Sequence, residues 1–569
     1  MNAQASNPAQ WFADLLLAQQ AMLQQIGATG TGTEAPAGSG KLLPWLPMTV
    51  AFVDWQQQAM KQFTEWWMAA LPGWGAVPIV GARDRRFAAD PWKQNVGFDA
   101  LARAYLSQSD LLRGTLAAAP LDARTKAQWG FVLRQAIDAL SPANALLTNP
   151  EALQTAVESG GASLAQGMRL FVEDFAKGRV SMTEDTAFEV GRNVATTPGS
   201  VVFENELMQM LQYAPTTTQV YTRPLLIVPP CINKFYILDL QPDNSFVAHA
   251  VAQGHTVFLV SWRNIGPEQD RLRWDDYLEQ GVMRAIDVAL AISRADRINT
   301  LGFCVGGTLL ASTLAVMTAK HEDKVASMTL LTTLLDFADT GELGLLVSEE
   351  SVAARELTIG RGGVMRGREL AQVFAALRAN DLIWPYVING YLEGKAPPAF
   401  DLLFWNADDS NLAGPMFCWY LRNTYLENKL REPGATVQCG VPVDLKTIEI
   451  PVFLYASRED HIVPWQAAYA STRLLGGEVT FALGGSGHIA GVINPPAKNK
   501  RNHWVGDVRP GAEEWLKDAR DVRGSWWPEW IAWLKPHADA MRTAPKKPGN
   551  RHFAPIEAAP GRYVKAKAP

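Results

Sequence analysis

The stretch Ile298-Asn-Thr-Leu-Gly-Phe-Cys-Val-Gly-Gly-Thr-Leu-Leu310 joins a short apolar run to a sequence of helical character. Its centre, Gly302-Phe-Cys-Val-Gly306, has the pattern of a nucleophile elbow with cysteine in place of serine. A strand that turns sharply into a helix needs glycines where the two backbones crowd. The helix dipole and free backbone N–H groups would favour the thiolate of Cys304. An isolated Gly-x-Cys-x-Gly is also typical of a buried cysteine beside a helix-packing glycine pair, so the rest of the chain decides.

Short β-branched runs surround the elbow and alternate with helical segments such as Trp274 to Arg294. We interpret them as the strands of a parallel sheet with crossover helices. This predicts an α/β-hydrolase-like fold over residues 186–569. The runs are Val201-Val-Phe203, Leu225-Leu-Ile-Val228, Thr256-Val-Phe-Leu-Val260, Ile298-Asn-Thr-Leu301, Met328 to Thr332, Val452-Phe-Leu-Tyr455 and Val479-Thr-Phe-Ala-Leu483.

An acid and a histidine follow the elbow in the chain order that this fold uses. Asp460 lies just past the run Pro451 to Ala456, and His488 ends the glycine-rich Gly484-Gly-Ser-Gly-His488 after the last predicted strand. Both positions belong to the carboxyl edge of a parallel sheet. We therefore predict a triad of Cys304, Asp460 and His488, with His461 in a supporting role.

An oxyanion hole needs one backbone N–H after the nucleophile and one from the loop after an earlier strand. Val305 supplies the first. The loop that follows Leu225 to Val228 supplies the second, from Cys231 or from Ile232, and we select Ile232. Cys231 itself is interpreted as a small buried residue rather than a second reactive thiol.

Residues 1–185 form a predicted helical N-terminal domain. An amphipathic helix over residues 8–27 and a Gly/Thr/Ala/Pro-rich tether over 29–40 begin it. Its early tryptophans fit two roles, an anchor on an apolar particle or packing between helices or subunits. More than a hundred residues separate the predicted strands near Thr332 and Pro451, which predicts a cap at about 335–445 that can exclude water and move to admit substrate.

Composition excludes several classes of function. The 569 residues carry a net charge of -5 without a long basic run, so nucleic acid is not an expected partner. Four scattered cysteines indicate neither a disulfide framework nor a zinc site and fit a reducing cytoplasm. The first 20 residues lack a secretory signal pattern, and Val305 to Ala319 is too short and too interrupted for a membrane span, so it is predicted to be a helix buried behind the elbow.

Several motifs together resemble those of class I polyhydroxyalkanoate synthases, and the resemblance covers most of the chain apart from the first forty or so residues. The motifs are Gly302-Phe-Cys-Val-Gly-Gly307, Pro229-Pro-Cys-Ile-Asn-Lys-Phe-Tyr-Ile-Leu-Asp239, Glu459-Asp-His-Ile-Val-Pro-Trp465, Gly487-His-Ile-Ala-Gly-Val-Ile-Asn-Pro495, Pro560-Gly-Arg-Tyr-Val-Lys-Ala-Lys567, Leu146-Leu-Thr-Asn-Pro-Glu151 and Tyr420-Leu-Arg-Asn-Thr-Tyr-Leu-Glu-Asn-Lys-Leu430.

This resemblance implies polymerisation of (R)-3-hydroxyacyl-CoA, chiefly 3-hydroxybutyryl-CoA, into a polyester through an acyl-enzyme on Cys304. It also implies a homodimer on cytoplasmic polymer granules and no cofactor, because coenzyme A is part of the substrate and a product. Asp460 either orients His488 or activates the 3-hydroxyl group of the incoming unit. Two rival hypotheses are a cysteine-dependent thioesterase or hydrolase of the same fold and a non-catalytic granule-coating protein, and the second leaves the triad unexplained.

Overall fold

The computed structural model describes residues 84–568, which divide into two compact units. In the described part of the chain, one unit comprises residues 84–180 with 379–396, and the other comprises residues 181–378 with 397–568. The predicted helix over residues 8–27, the tether over 29–40 and the tryptophans before Trp92 lie outside the described residues. The compact helical unit takes in residues 379–396, which fall inside the segment 335–445 that the sequence assigns to the cap.

The smaller unit is helical throughout its described residues. It contains α1 Asp90–Gln94, α2 Val96–Ala118, α3 Ala123–Ala139, α4 Pro150–Glu158 and α5 Ala162–Lys177. Three of these helices have a side-chain cap: Asn95, Asp122 and Asn149 accept backbone N–H groups at the first turns of α2, α3 and α4. Trp92 is 1% exposed, and its ring packs edge-on against Phe87. This tryptophan therefore belongs to a small core and not to an exposed aromatic face.

Fourteen further α-helices lie C-terminal to α5 within residues 84–568. They are α6 Phe246–Ala252, α7 Trp274–Asp276, α8 Arg284–Ser293, α9 Val305–Ala319, α10 Glu349–Ile359, α11 Gly367–Leu377, α12 Ala379–Leu382, α13 Trp384–Val387, α14 Asp401–Asn406, α15 Gly414–Tyr420, α16 Trp465–Ala470, α17 His488–Val492, α18 Ala512–Asp518 and α19 Trp527–Leu534. Three π-helical turns extend α7, α13 and α15, over Tyr277–Met283, Ile388–Leu392 and Leu421–Leu426.

The strands of the larger unit are β1 Gly199–Glu204, β2 Met208–Tyr213, β3 Gln219–Tyr221, β4 Leu225–Val228, β5 Val257–Trp262, β6 Ile298–Phe303, β7 Val325–Leu331, β8 Val364–Met365, β9 Leu412–Ala413, β10 Val437–Gln438, β11 Val441–Pro442, β12 Val452–Ser457, β13 Val479–Gly484, β14 Asn502–Gly506, β15 Arg520–Arg523, β16 Met541–Thr543 and β17 Glu557–Ala558. Eleven of them form one sheet in the order β15-β14-β13-β12-β7-β6-β4-β5-β2-β1-β17.

The six central strands of this sheet, β13-β12-β7-β6-β4-β5, pair in parallel, and antiparallel strands extend both edges. Alternate residues of β4 and β5 enter two separate cores, Leu226 and Phe258 on one face, Leu225 and Val257 on the other. Helices cover both faces, as buried parallel strands require. The prediction of an α/β-hydrolase-like, mostly parallel sheet is confirmed, as are the seven predicted strands.

Helix α9 lies buried directly after β6, and every residue from Val305 to Met317 is buried. The prediction of a helix behind the elbow is therefore confirmed. No helix within residues 84–568 is long and apolar enough to cross a membrane.

Candidate active site

Cys304 occupies the sharp turn between β6 and α9. Its backbone has φ 54° and ψ -128°, a left-handed conformation that is strained for a side-chain-bearing residue. A Cβ on Gly302 would overlap Gly307, and a Cβ on Gly306 would overlap the carbonyl oxygens of Val228 and Pro229. Glycine at these positions is thus what lets β6, α9 and the end of β4 meet so closely, as the pattern Gly302 to Gly306 predicts.

Asp460 and His488 form a buried hydrogen-bonded pair. His488 begins α17 after β13, Asp460 lies three residues after β12, and the Nδ1 of His488 is 2.6 Å from the Oδ2 of Asp460. The Asp460 side chain is 0% exposed, and its Oδ1 accepts the backbone N–H groups of Ile462 (2.8 Å) and Val463 (2.9 Å). The carboxylate is therefore fixed from both oxygens, and it fixes the imidazole in turn.

Charge dominates the environment of His488. Burial alone would lower the pKa of this imidazole, but the negative charges of Asp460 and of the Cys304 thiolate, with a hydrogen bond to each, raise that pKa to about 10. The ring of His488 also lies against that of Phe303, with centroids 5.7 Å apart. The structure thus brings Cys304, His488 and Asp460 together and favours an imidazolium whenever the thiolate forms.

The loop after β4 lies beside the elbow, where the sequence places the second oxyanion donor. The contact between Gly306 and the backbone of Val228 and Pro229 joins the loop to the first turn of α9. Val305 opens that helix, so its N–H has no intrahelical acceptor. Trp262 donates its indole N–H to the carbonyl oxygen of Pro229 at 2.8 Å and holds the loop from behind. Ile232 lies three residues farther along this loop.

Two further predicted residues have contrasting surroundings. Cys231 is 3% exposed, and burial raises its thiol pKa well above the ordinary range, which agrees with a small buried residue. His461 is half-buried, burial lowers its pKa, and within residues 84–568 its Nδ1 has no hydrogen-bond partner.

Sequence reasoning did not identify an aromatic group near the thiol. Tyr420 and Tyr425 contact each other edge-on, with centroids 5.6 Å apart, and Tyr425 contacts Phe337 at 5.1 Å. Burial raises the pKa of both tyrosines, and the charge of Cys304 adds to the increase. Tyr420 and Tyr425 are five residues apart, and they lie on the same face because the turn Leu421–Leu426 is π-helical. A search for α-helical spacing in the sequence therefore does not reveal the pair.

The C-terminal tail, which contains the motif Pro560 to Lys567, contacts the segment that follows the loop after β4. The buried Lys234 donates from Nζ to the carbonyl oxygen of Ala566 at 2.7 Å. Lys567 lies 2.9 Å from the Oδ1 of Asp408, whose Oδ2 accepts the hydroxyl of Tyr236 at 2.9 Å. Because Lys234 directly follows the loop that carries Ile232, the tail helps to position that loop.

The family described as "Poly-beta-hydroxybutyrate polymerase (PhaC) N-terminus" matches residues 83–250, and the family described as "alpha/beta hydrolase fold" matches residues 224–495. A poly(3-hydroxyalkanoate) polymerase subunit PhaC from Cupriavidus necator is 53% identical over 554 residues, which cover 96% of this chain and 94% of that protein.

A protein of the same name from Rhizobium etli is 41% identical over 525 residues, 90% of this chain and 82% of that protein. Among solved structures, a monoacylglycerol lipase from Paleococcus ferrophilus aligns with a TM-score of 0.34 and 12% identity, over 58% of this chain and 99% of the lipase.

Proposed function

Because the chain belongs to the poly(3-hydroxyalkanoate) polymerase family, we propose that it polymerises (R)-3-hydroxyacyl-CoA, chiefly 3-hydroxybutyryl-CoA, with release of coenzyme A. The observation that carries the catalytic assignment is the hydrogen-bonded pair of His488 and Asp460 at the same sheet edge as a strained cysteine elbow. Family membership supplies the polymerase activity, and the geometry supports the roles of individual residues.

In the first step, His488 accepts the proton of Cys304, and the thiolate attacks the thioester carbonyl of the substrate. The N–H groups of Val305 and Ile232 stabilise the oxyanion that develops. As the tetrahedral intermediate collapses, the carbon–sulfur bond to coenzyme A breaks, and the imidazolium returns the proton to the departing sulfur. The raised pKa of His488 supports this step, because it favours the ion pair that the attack requires.

In the second step, a 3-hydroxyl group attacks the acyl–Cys304 thioester. His488 takes the hydroxyl proton and delivers it to the sulfur of Cys304, so an ester bond forms and the thiol is regenerated. We assign Asp460 the task of orienting His488 rather than of contacting the hydroxyl, since its side chain has no exposed surface and both oxygens already accept hydrogen bonds. We give the half-buried His461, the neighbour of Asp460 in the chain, a supporting role beside this pair.

Exclusion of water separates a polymerase from a thioesterase with the same triad. His488 (6% exposed) and Asp460 are already shielded from bulk solvent, whereas Cys304 is half-buried, and we assign the cap the task of keeping water from Cys304. A transfer to hydroxyl groups then dominates over hydrolysis.

We further propose that the helical unit mediates dimerisation and attachment to polymer granules. Val96, Leu147 and Val157 of this unit are 73–85% exposed, a setting that suits an apolar contact. Replacing Leu147 and Val157 by glutamate should weaken dimer formation or granule binding while thioester cleavage continues. A double variant that stays dimeric and bound to granules contradicts the assignment.

The central test measures coenzyme A release from (R)-3-hydroxybutyryl-CoA while the acyl product is analysed for insoluble polyester and for free acid. We expect polyester from the wild-type chain and none from Cys304→Ala, with Cys231→Ala as the matched thiol control that keeps the activity. Free 3-hydroxybutyrate as the sole product would identify a thioesterase instead.

A further inference from the structure

A cavity of about 510 Å³ lies in the larger unit, among residues to which the proposed reaction gives no role. Its lining contains three arginines, Arg271, Arg273 and Arg361, and two tryptophans, Trp274 and Trp419. A volume of this size holds a small organic ligand. The cavity therefore combines room, positive charge and aromatic surface in one place.

The arginines are exposed and available to an anion. All three side chains are exposed, and Asp275, whose carboxyl interacts electrostatically with Arg273, is the single acidic residue of the lining. Arginine presents a fork of N–H donors that matches phosphate oxygens. The cavity thus carries an excess of positive charge suited to more than one phosphate group.

The glycine-rich segment at residues 360–363 brings Arg361 to the cavity. Gly362 and Gly363 have φ of +153° and +129°, which only glycine adopts readily, and a Cβ on Gly362 would lie 3.5 Å from the Cγ of Arg271. The close approach of Arg271 to this loop places two guanidinium groups from distant parts of the chain at one cavity.

Trp419 supplies a stacking surface at the cavity, and buried aromatic rings lie behind it. Trp419 stacks on Trp274 with centroids 4.4 Å apart, and Trp274 stacks on Tyr420 at 5.7 Å. Tyr420 is near enough to Cys304 for the thiolate charge to affect its pKa. One continuous row of rings therefore runs from the cavity wall to the neighbourhood of Cys304.

We propose that this cavity is a nucleotide site, in which Arg271, Arg273 and Arg361 bind phosphate groups and the half-buried Trp419 contacts the base. Trp274, which is 1% exposed, supports the ring of Trp419 from behind. Two sources share this chemistry, the phosphorylated adenosine of the coenzyme A substrate and a free adenine nucleotide. The first source rests on the proposed function, and in that case the cavity binds the nucleotide part of acyl-CoA and positions the substrate.

Two substrates separate these possibilities, 3-hydroxybutyryl-CoA and the 3-hydroxybutyryl thioester of N-acetylcysteamine, which has the same acyl group but no nucleotide. We expect Arg361→Ala and Arg271→Ala each to raise KM for the CoA thioester about tenfold, the loss of one charge-assisted contact. Their kcat and their activity on the short thioester should not change. Arg192→Ala, at an exposed arginine outside the lining, is the matched control.

Calorimetry with adenosine 3′,5′-bisphosphate reads the site without turnover. Binding to wild type that weakens about tenfold in Arg361→Ala supports the site, and competition with acyl-CoA assigns it to the substrate, whereas binding without competition assigns it to a free nucleotide. Equal binding by wild type and Arg361→Ala, or no binding by wild type, overturns the proposal. Failure of the polymerase assignment appears separately, as no turnover of either thioester by wild type.

Discussion

Replacing Asp460 by asparagine should prevent His488 from acting as a base, although asparagine fills the same space as aspartate. Ile462 and Val463 donate backbone N–H groups to Oδ1, so the amide oxygen of the variant must occupy that position. The amide nitrogen then faces the Nδ1 of His488, where Oδ2 now lies at 2.6 Å. A donor in that place requires an acceptor at Nδ1, and the ring proton moves to Nε2, where it blocks removal of a proton from Cys304.

The expected cost is about a thousand- to ten-thousandfold in kcat, the range for a triad histidine held in the wrong tautomer. This corresponds to about 4–5.5 kcal/mol of transition-state stabilisation. Single-turnover release of coenzyme A from (R)-3-hydroxybutyryl-CoA measures it directly, with Asp243→Asn at an exposed carboxylate as control. A loss of less than tenfold in a folded Asp460→Asn chain would refute the orienting role.

Three further predictions concern the reactivity of the cysteines, the C-terminal tail and the charge of His488. One equivalent of iodoacetamide near pH 7 should label Cys304 alone. Burial raises the pKa of Cys418 to about 11 and of Cys439 to about 12, and it also raises that of Cys231 well above its ordinary value. Peptide mass spectrometry that finds another labelled thiol contradicts this prediction. Lys567→Met should lower the free energy of unfolding by about 1 kcal/mol in urea titrations, because it removes the ion pair of the buried Asp408 carboxylate. Lys565→Met, at an exposed lysine of the same tail, is the control and should leave the free energy of unfolding unchanged. Finally, the raised pKa of His488 contributes stability that is complete below pH 6.5 and is lost as pH rises through about 10. The difference in Tm between wild type and Asp460→Asn should therefore shrink over that interval. A constant or growing difference would show that the charged pair of His488 and Asp460 is not the source of the stability.

Local rules predicted much of the sheet because its central strands are short, apolar and separated by helices. β4, β6, β7 and β12 are buried on both faces, so they occur in the sequence as short runs rich in apolar residues. β14 and β15 were not predicted. Their residues alternate or are mostly exposed, and they become strands only by pairing with β13 and with each other.

The candidate triad was also accessible from sequence, since each member lies at the end of a predicted strand. Its detailed contacts were not. The pairing of Tyr420 with Tyr425 depends on a π-helical turn, and the ion pair of Lys567 with Asp408 joins residues 159 positions apart in the chain. Neither leaves a periodic signal, because each depends on the path of the backbone in three dimensions.

The sequence by itself determined the elbow, the order of the nucleophile, acid and histidine, and the parallel sheet that brings them to one edge. These follow from glycine sterics and from the alternation of strand and helix, which are local properties. Only the tertiary structure decided that Asp460 is held at both oxygens, that the tail reaches the loop of Ile232, and that arginines from two distant segments share a cavity. Such contacts arise from packing between segments remote in sequence, where no local preference specifies the partner.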